Sequence, residues 1–355
     1  MRICLLLAHS IEEFDQVKLL AGLGYDVFSI GSYIDPAHQL DPIREALPDV
    51  RCQTGLKAAV DRLGVPHLAQ PLHGDRNGSC ENGHRDPLDA AKRYLPDAIV
   101  DWADVIICHH LEHTWVIPQW ERIRHKAVIW RTVGQSATPN EALMAPLRSE
   151  GLQIVRYSPQ ERNIPEFAGE DALIRFYKDP IEWQGWRGDD AVVTNVTQDM
   201  AGRDPFTNWR FWEMATHGLP RMPAGKLSER IGGTGLLPVQ EMQELLRSAR
   251  CYLYTGTQPA SYTLGLIEAM MAGIPVVSIG SGWMRMLPYS PLLFEGHLIA
   301  PLSSDRPDAA RAYLMRLLAD HDHAREIGAI GRATALELFD MTKVGAQWVA
   351  FLGAP

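Results

Sequence analysis

Cationic residues are too few in this chain for a general nucleic-acid binder. Its 355 residues carry 34 Lys and Arg against 43 Asp and Glu, a formal net charge of -9, so only a local basic groove could meet a polyanion. Cysteine is equally scarce. Cys4, Cys52, Cys80, Cys108 and Cys251 are odd in number and lack a Cys-x-x-Cys pair, which excludes a disulfide framework and a paired zinc site. Three of them (Cys4, Cys108 and Cys251) fall in predicted buried strands, so reduced thiols in a cytoplasmic protein are expected. No apolar run is long enough for a transmembrane segment, and the start Met1-Arg-Ile-Cys-Leu-Leu-Leu-Ala8 is too short for a secretory leader. Repeats and low-complexity tracts are missing. What remains is 46% hydrophobic and 22% charged, the make-up of an ordinary globular enzyme, and its length suits two domains better than one core.

The most informative stretch is Cys251 to Ser278. Cys251 to Tyr254 reads as a buried parallel strand, followed by a loop with Gly256 and Pro259. Ser261 or Thr263 then offers an N-cap, and Leu264, Ile267 and Met271 repeat at helical spacing. Gly273 suits the left-handed position after a helix, Pro275 stops it, and Val276 to Ile279 reads as the next strand. A strand–loop–helix of this kind sets unpaired N–H groups at a strand's carboxyl end, where a diphosphate binds. Glu268, about one turn further in, could accept hydrogen bonds from a ribose, or be a solvent-facing helix residue.

The chain opens on another such unit. Ile3 to Ala8 is a strand, Ser10-Ile-Glu-Glu13 forms a capping box, and Tyr25 to Ile30 is the next strand. Ser10 stands where a ligand contact is possible, although capping already accounts for it. A helix is expected over Gly55 to Leu63 and a long polar loop over Gln70 to Pro87; His73, Cys80 and His84 there lack zinc spacing. The strand Asp104 to His109 runs into His110-Leu-Glu112-His113. Alternation places Val105, Ile107 and His109 on one face, which commits His109 to packing and leaves His110 at the loop's start. Arg131 ends the strand from Ala127; it could reach a phosphate or an acidic acceptor, or form an interdomain ion pair. The mixed stretch Glu166 to Asp190 suits a crossing between domains. Ala191 to Val196 begins the second half, with Arg203 and Arg210 following. Asp320-His-Asp322 matches a metal motif only formally, since it falls between two helices.

Leu264-Gly-Leu-Ile-Glu-Ala-Met-Met-Ala-Gly-Ile-Pro-Val-Val277 resembles the nucleotide-binding signature of retaining nucleotide-sugar glycosyltransferases of the GT-B fold, the group 1 or family 4-like enzymes. The resemblance implies an α/β protein of two doubly wound Rossmann-like domains facing a cleft. Residues 1–175 would form the acceptor-side domain, 176–339 the nucleotide-sugar domain, and 340–355 a terminal helix crossing back to the first. It implies that Glu268 holds the nucleotide ribose. The family's first motif glutamate falls at Ala260, so Ser261, Tyr262 and Thr263 are left to take over its contacts. Arg203 matches an arginine that clamps the donor diphosphate, together with the amides of Thr263 and Leu264. The partner lysine position holds Trp209, and Arg210 is the nearest substitute. A family histidine beside the transferred sugar matches His110 or His109 by position, and His9-Ser10 replaces the paired glycines after the first strand.

The function so implied is hexosyl transfer, class EC 2.4, from a nucleotide sugar to an acceptor with retained anomeric configuration. A UDP-sugar is favoured by analogy, and no metal or other cofactor is required. The acceptor could be a saccharide, a lipid-linked glycan, a small molecule or DNA. The rival readings are an inactive nucleotide-sugar-binding protein, a nucleotide-sugar epimerase and a DNA-modifying glycosyltransferase.

Overall fold

The apolar runs at both ends of the chain assemble into two parallel sheets. The computed structural model describes residues 1–7, 10–31, 52–54, 95, 97–109, 116–134, 136–280, 282–283 and 302–355. The helix expected over 55–63, the polar loop over 70–87 and His110 to His113 lie outside the described residues.

In the first sheet, β1 (Arg2–Leu7), β2 (Asp26–Gly31), β3 (Cys52–Thr54), β4 (Val105–His109), β5 (Ala127–Arg131), β6 (Gln153–Arg156) and β7 (Ala172–Leu173) follow in sequence. Their order in space is β3-β2-β1-β4-β5-β6-β7, with every pairing parallel. The order reverses between β1 and β4, and helices α1 (Ser10–Gly22), α2 (Asp97–Trp102), α3 (Trp120–Ile123) and α4 (Thr138–Ser149) connect the strands. Helices on both faces explain why all five residues of β4 are buried, where simple alternation would bury one face. The core gathers Ile106, Cys108, Trp120, Val128 and Trp130.

The second sheet has the order β12-β11-β10-β8-β9, again all parallel. It contains β8 (Asp190–Val196), β9 (Arg221–Ala224), β10 (Ala249–Tyr254), β11 (Val276–Ile279) and β12 (Ser303–Ser304). Between them run α5 (Trp209–Thr216), α6 (Val239–Ser248) and α7 (Leu264–Ala272), followed by α8 (Pro307–Ala319), α9 (His321–Leu338) and α10 (Met341–Leu352). Val193, Phe211, Trp212, Cys251, Leu253, Val277 and Leu314 form its core.

The chain divides into two compact units. One comprises Met1–Tyr157, Glu166–Ile174 and Gly345–Pro355; the other comprises Ser158–Pro165 and Arg175–Val344. The C-terminal segment is integral to the first unit: the Tyr25 phenol donates to the Gly353 carbonyl, and a side chain at Gly345 would press on Leu19. Among the described residues, no helix is long and apolar enough to cross a membrane.

Candidate functional site

In the second unit the strand order reverses between β8 and β10, which is where an open parallel sheet presents a crevice at its carboxyl edge. Two loops meet there. The loop after β8 reaches the loop after β10 through Asn208, whose Nδ2 donates to the Thr255 carbonyl at 2.8 Å. The Gln258 N–H donates in turn to the Phe206 carbonyl at 2.7 Å. Asn208 takes a left-handed backbone (φ 54°), a conformation that asparagine tolerates, and so turns the chain into α5.

α7 starts at this junction. Thr263, and not Ser261, is its N-cap: extended backbone (φ -117°) and a hydroxyl that accepts from the Leu266 N–H at 3.3 Å. The first-turn N–H groups of Leu264 and Gly265 are ones that helix geometry leaves without an intrahelical partner. Gly265 brings that turn close to the end of β8, since a Cβ there would lie 3.3 Å from the Val196 carbonyl oxygen. At the far end Gly273 closes the helix in the left-handed conformation (φ 92°), its N–H donating to the Ala269 and Met270 carbonyls.

Glu268 is buried, and its Oε1 lies 2.6 Å from Lys178 Nζ. The solvent-facing alternative for Glu268 is thereby excluded. Lys178 is itself 2% exposed, and sequence reasoning missed it. Its only signal was a lysine within an irregular stretch. Nearby, burial pushes the phenols of Tyr252 and Tyr254 and the thiol of Cys251 above their ordinary ranges, so none of the three titrates near neutral pH.

The remaining expected donor residues divide. Arg203 is half-buried in the loop after β8, with Nη1 3.4 Å from the Gln198 carbonyl oxygen. Arg210, on α5, is 84% exposed and stands 3.5 Å from Asp204. Both follow β8, on the same sheet edge as Thr263. Ser261 is fully buried. Tyr262 is 1% exposed, with its ring packed between Phe176 (centroids 5.8 Å apart) and Phe339 (5.2 Å).

In the first unit Arg131 is packed in the same way. It is fully buried, donates Nη1 to the Arg156 and Ile174 carbonyls, and stacks 5.6 Å from the Trp348 ring. His109, at the end of β4, is buried with Nδ1 3.9 Å from Glu12 Oε1. Ser10 is the first residue of α1, one position inside the helix that it was expected to cap. Asp320 caps α9 by accepting from the His323 N–H at 2.9 Å, and Asp322 pairs with Arg325 at 2.6 Å. Among the described residues, no group of three His, Cys, Asp or Glu side chains could hold a metal ion.

No protein-family model matches the chain, and no curated protein matches it by sequence. Solved structures do. HepE of Anabaena, crystallised with UDP and glucose, is 14% identical over 100% of both chains, with a TM-score of 0.66. Sucrose-phosphate synthase of Thermosynechococcus elongatus is 13% identical, with coverage of 99% of this chain and 98% of that one and a TM-score of 0.63. A glycosyltransferase of Rickettsia africae is 10% identical over 100% and 99%, also at 0.63. Two parallel sheets in these orders, matched along the whole chain, are the GT-B glycosyltransferase fold.

Proposed function

We propose that this chain is a nucleotide-sugar-dependent hexosyltransferase that binds its donor at the carboxyl edge of the second unit. The observation that carries the reading is the start of α7, capped by Thr263, with a buried carboxylate, Glu268, about one turn further along. The Leu264 and Gly265 amides would take the diphosphate and Glu268 the ribose, an arrangement that ordinary helix packing does not require. Arg203 and Arg210 follow the neighbouring strand, and cations there would offset the charge that the diphosphate gains as the sugar departs. These groups make a divalent metal unnecessary for leaving-group stabilisation.

HepE has been solved with UDP-glucose, which supports a UDP-sugar as donor. The first unit would serve the acceptor, with His110 beside the reacting sugar and His109 supporting that strand end from within the core. Retention of anomeric configuration follows the sequence resemblance alone. Cys4, Cys108 and Cys251 are buried outside any disulfide, in keeping with a reducing cytoplasmic setting.

A thermal-shift screen across nucleotide sugars tests the reading, because a ligand at 100 times its Kd stabilises the folded state by about 2.7 kcal/mol. A UDP-sugar should give the largest shift and be slowly hydrolysed without acceptor. No shift with any nucleotide sugar would overturn the donor site. A shift with neither hydrolysis nor transfer would instead favour an inactive binding protein, the outcome to which Ala260 in place of a carboxylate points.

A further inference from the structure

Lys178 is held from several directions before its side chain reaches Glu268. Its N–H donates to the Phe339 carbonyl at 3.0 Å, and its backbone forms a parallel bridge with Asp340. Two residues earlier Phe176 packs on the Tyr262 ring, which also meets Phe339. The ammonium lies 5.4 Å from the centroid of the Trp183 ring and 2.6 Å from Glu268 Oε1. All these residues belong to the second unit.

Burying and ordering a lysine is expensive, and a buried ion pair adds little net stability over a hydrophobic pair of similar size. The arrangement has a clearer use at the carboxylate. A cation held 2.6 Å from one oxygen fixes the plane of the carboxylate and the direction of its remaining acceptor positions. A carboxylate has about four acceptor positions, so one bond from Lys178 leaves room for two hydroxyl donors.

We propose that Lys178 is a positioning residue of the donor site, orienting the Glu268 carboxylate to accept both ribose hydroxyls and so selecting ribonucleotides over 2′-deoxyribonucleotides. The inference rests on the donor-site reading of Glu268. It also assigns a role to the segment just after Ile174, which the sequence marked only as a crossing between domains.

Calorimetric titration of the wild type with UDP and 2′-deoxy-UDP, and with the corresponding GDP and ADP pairs, tests it. The wild type should bind its preferred ribonucleotide about 10-fold or more tighter than the 2′-deoxy form, the scale of one charged hydrogen bond. In Lys178→Met that ratio should fall toward one, because the ribonucleotide loses two oriented hydroxyl contacts and the 2′-deoxy form only one. Lys178→Gln keeps an N–H donor without the charge, guards against a misfolded methionine variant and should also lower the ratio. Lys178→Arg keeps the charge and should retain most of it. A folded Lys178→Met or Lys178→Gln protein with a lower melting temperature and an undiminished ratio would show a purely structural lysine and overturn the proposal. Wild type that binds UDP and 2′-deoxy-UDP equally would overturn it while leaving the donor site standing. Wild type that binds no nucleoside diphosphate would overturn the donor-site reading, and this inference with it.

Discussion

The ammonium of Lys178 and the carboxylate of Glu268 form a buried ion pair at 2.6 Å, with side chains 2% and 7% exposed. The pair joins the segment just after Ile174 to the helix that carries the nucleotide-binding resemblance. It also alters what substitutions at Glu268 measure, because removing one partner strands the other charge away from water.

Glu268→Ala should therefore destabilise the second unit as well as weaken nucleotide binding. Breaking a buried pair from one side costs about 3–5 kcal/mol, whereas replacing both charges costs far less. Denaturant unfolding of Glu268→Ala, Lys178→Met and the double variant Lys178→Met/Glu268→Gln should show two strongly destabilised proteins and one close to wild type. Single variants within about 1 kcal/mol of wild type would mean that the pair is not buried in solution.

Arg203→Ala should separate the diphosphate from the nucleoside. A charged hydrogen bond to phosphate contributes about 1.5–3 kcal/mol, so UDP affinity should drop by that amount while uridine affinity hardly changes. Equal losses for both ligands would remove Arg203 from the diphosphate site.

Turnover should not depend on a divalent metal. In the proposed donor site the two arginines and the helix start would supply the positive potential that a metal would otherwise provide. Activity that vanishes with EDTA and returns with Mg²⁺ or Mn²⁺ would contradict this.

Acid should loosen the first unit through Glu141. Burial pushes this carboxyl group upward, but hydrogen bonds and charge from Arg156, with help from Ser136 and the Ala168 N–H, outweigh it and leave its pKa lowered. A carboxylate with a depressed folded-state pKa stabilises above its unfolded value, about 4.3, and that stability is lost as pH falls through the folded value. Wild type should lose melting temperature steadily below about pH 4. Glu141→Gln, which removes the carboxylate charge facing the buried Arg156 guanidinium, should already be destabilised by about 3–5 kcal/mol at neutral pH. A Glu141→Gln protein with wild-type melting at pH 7 would refute the assignment.

The two adjacent histidines should separate by readout. His109, buried beside Glu12, is expected to affect stability when changed to alanine. His110→Ala should lower kcat by about 10²-fold or more with little change in donor affinity, because a contact to the departing sugar is strongest in the transition state. Loss of activity in His109→Ala with unchanged melting, beside a fully active His110→Ala, would reverse the roles.

Much of the fold was legible because it is written in local pattern. The apolar run ending at Tyr254, Thr263 as a cap and Gly273 at a left-handed position each act within one turn or one strand of themselves. Those local rules determined that β10, α7 and β11 follow one another, and hence that helix N–H groups stand at a strand's carboxyl end. The tertiary structure decided which side chains near those strand ends remain available. Arg131 and Tyr262 occupy promising positions in sequence, yet helices on both sheet faces and the Phe176–Tyr262–Phe339 cluster bury them. Lys178 meeting Glu268 and His109 meeting Glu12 are likewise tertiary decisions. Periodicity determines which face of an element is apolar, but a contact between charges far apart in sequence depends on how the elements pack, and no local pattern encodes that distance.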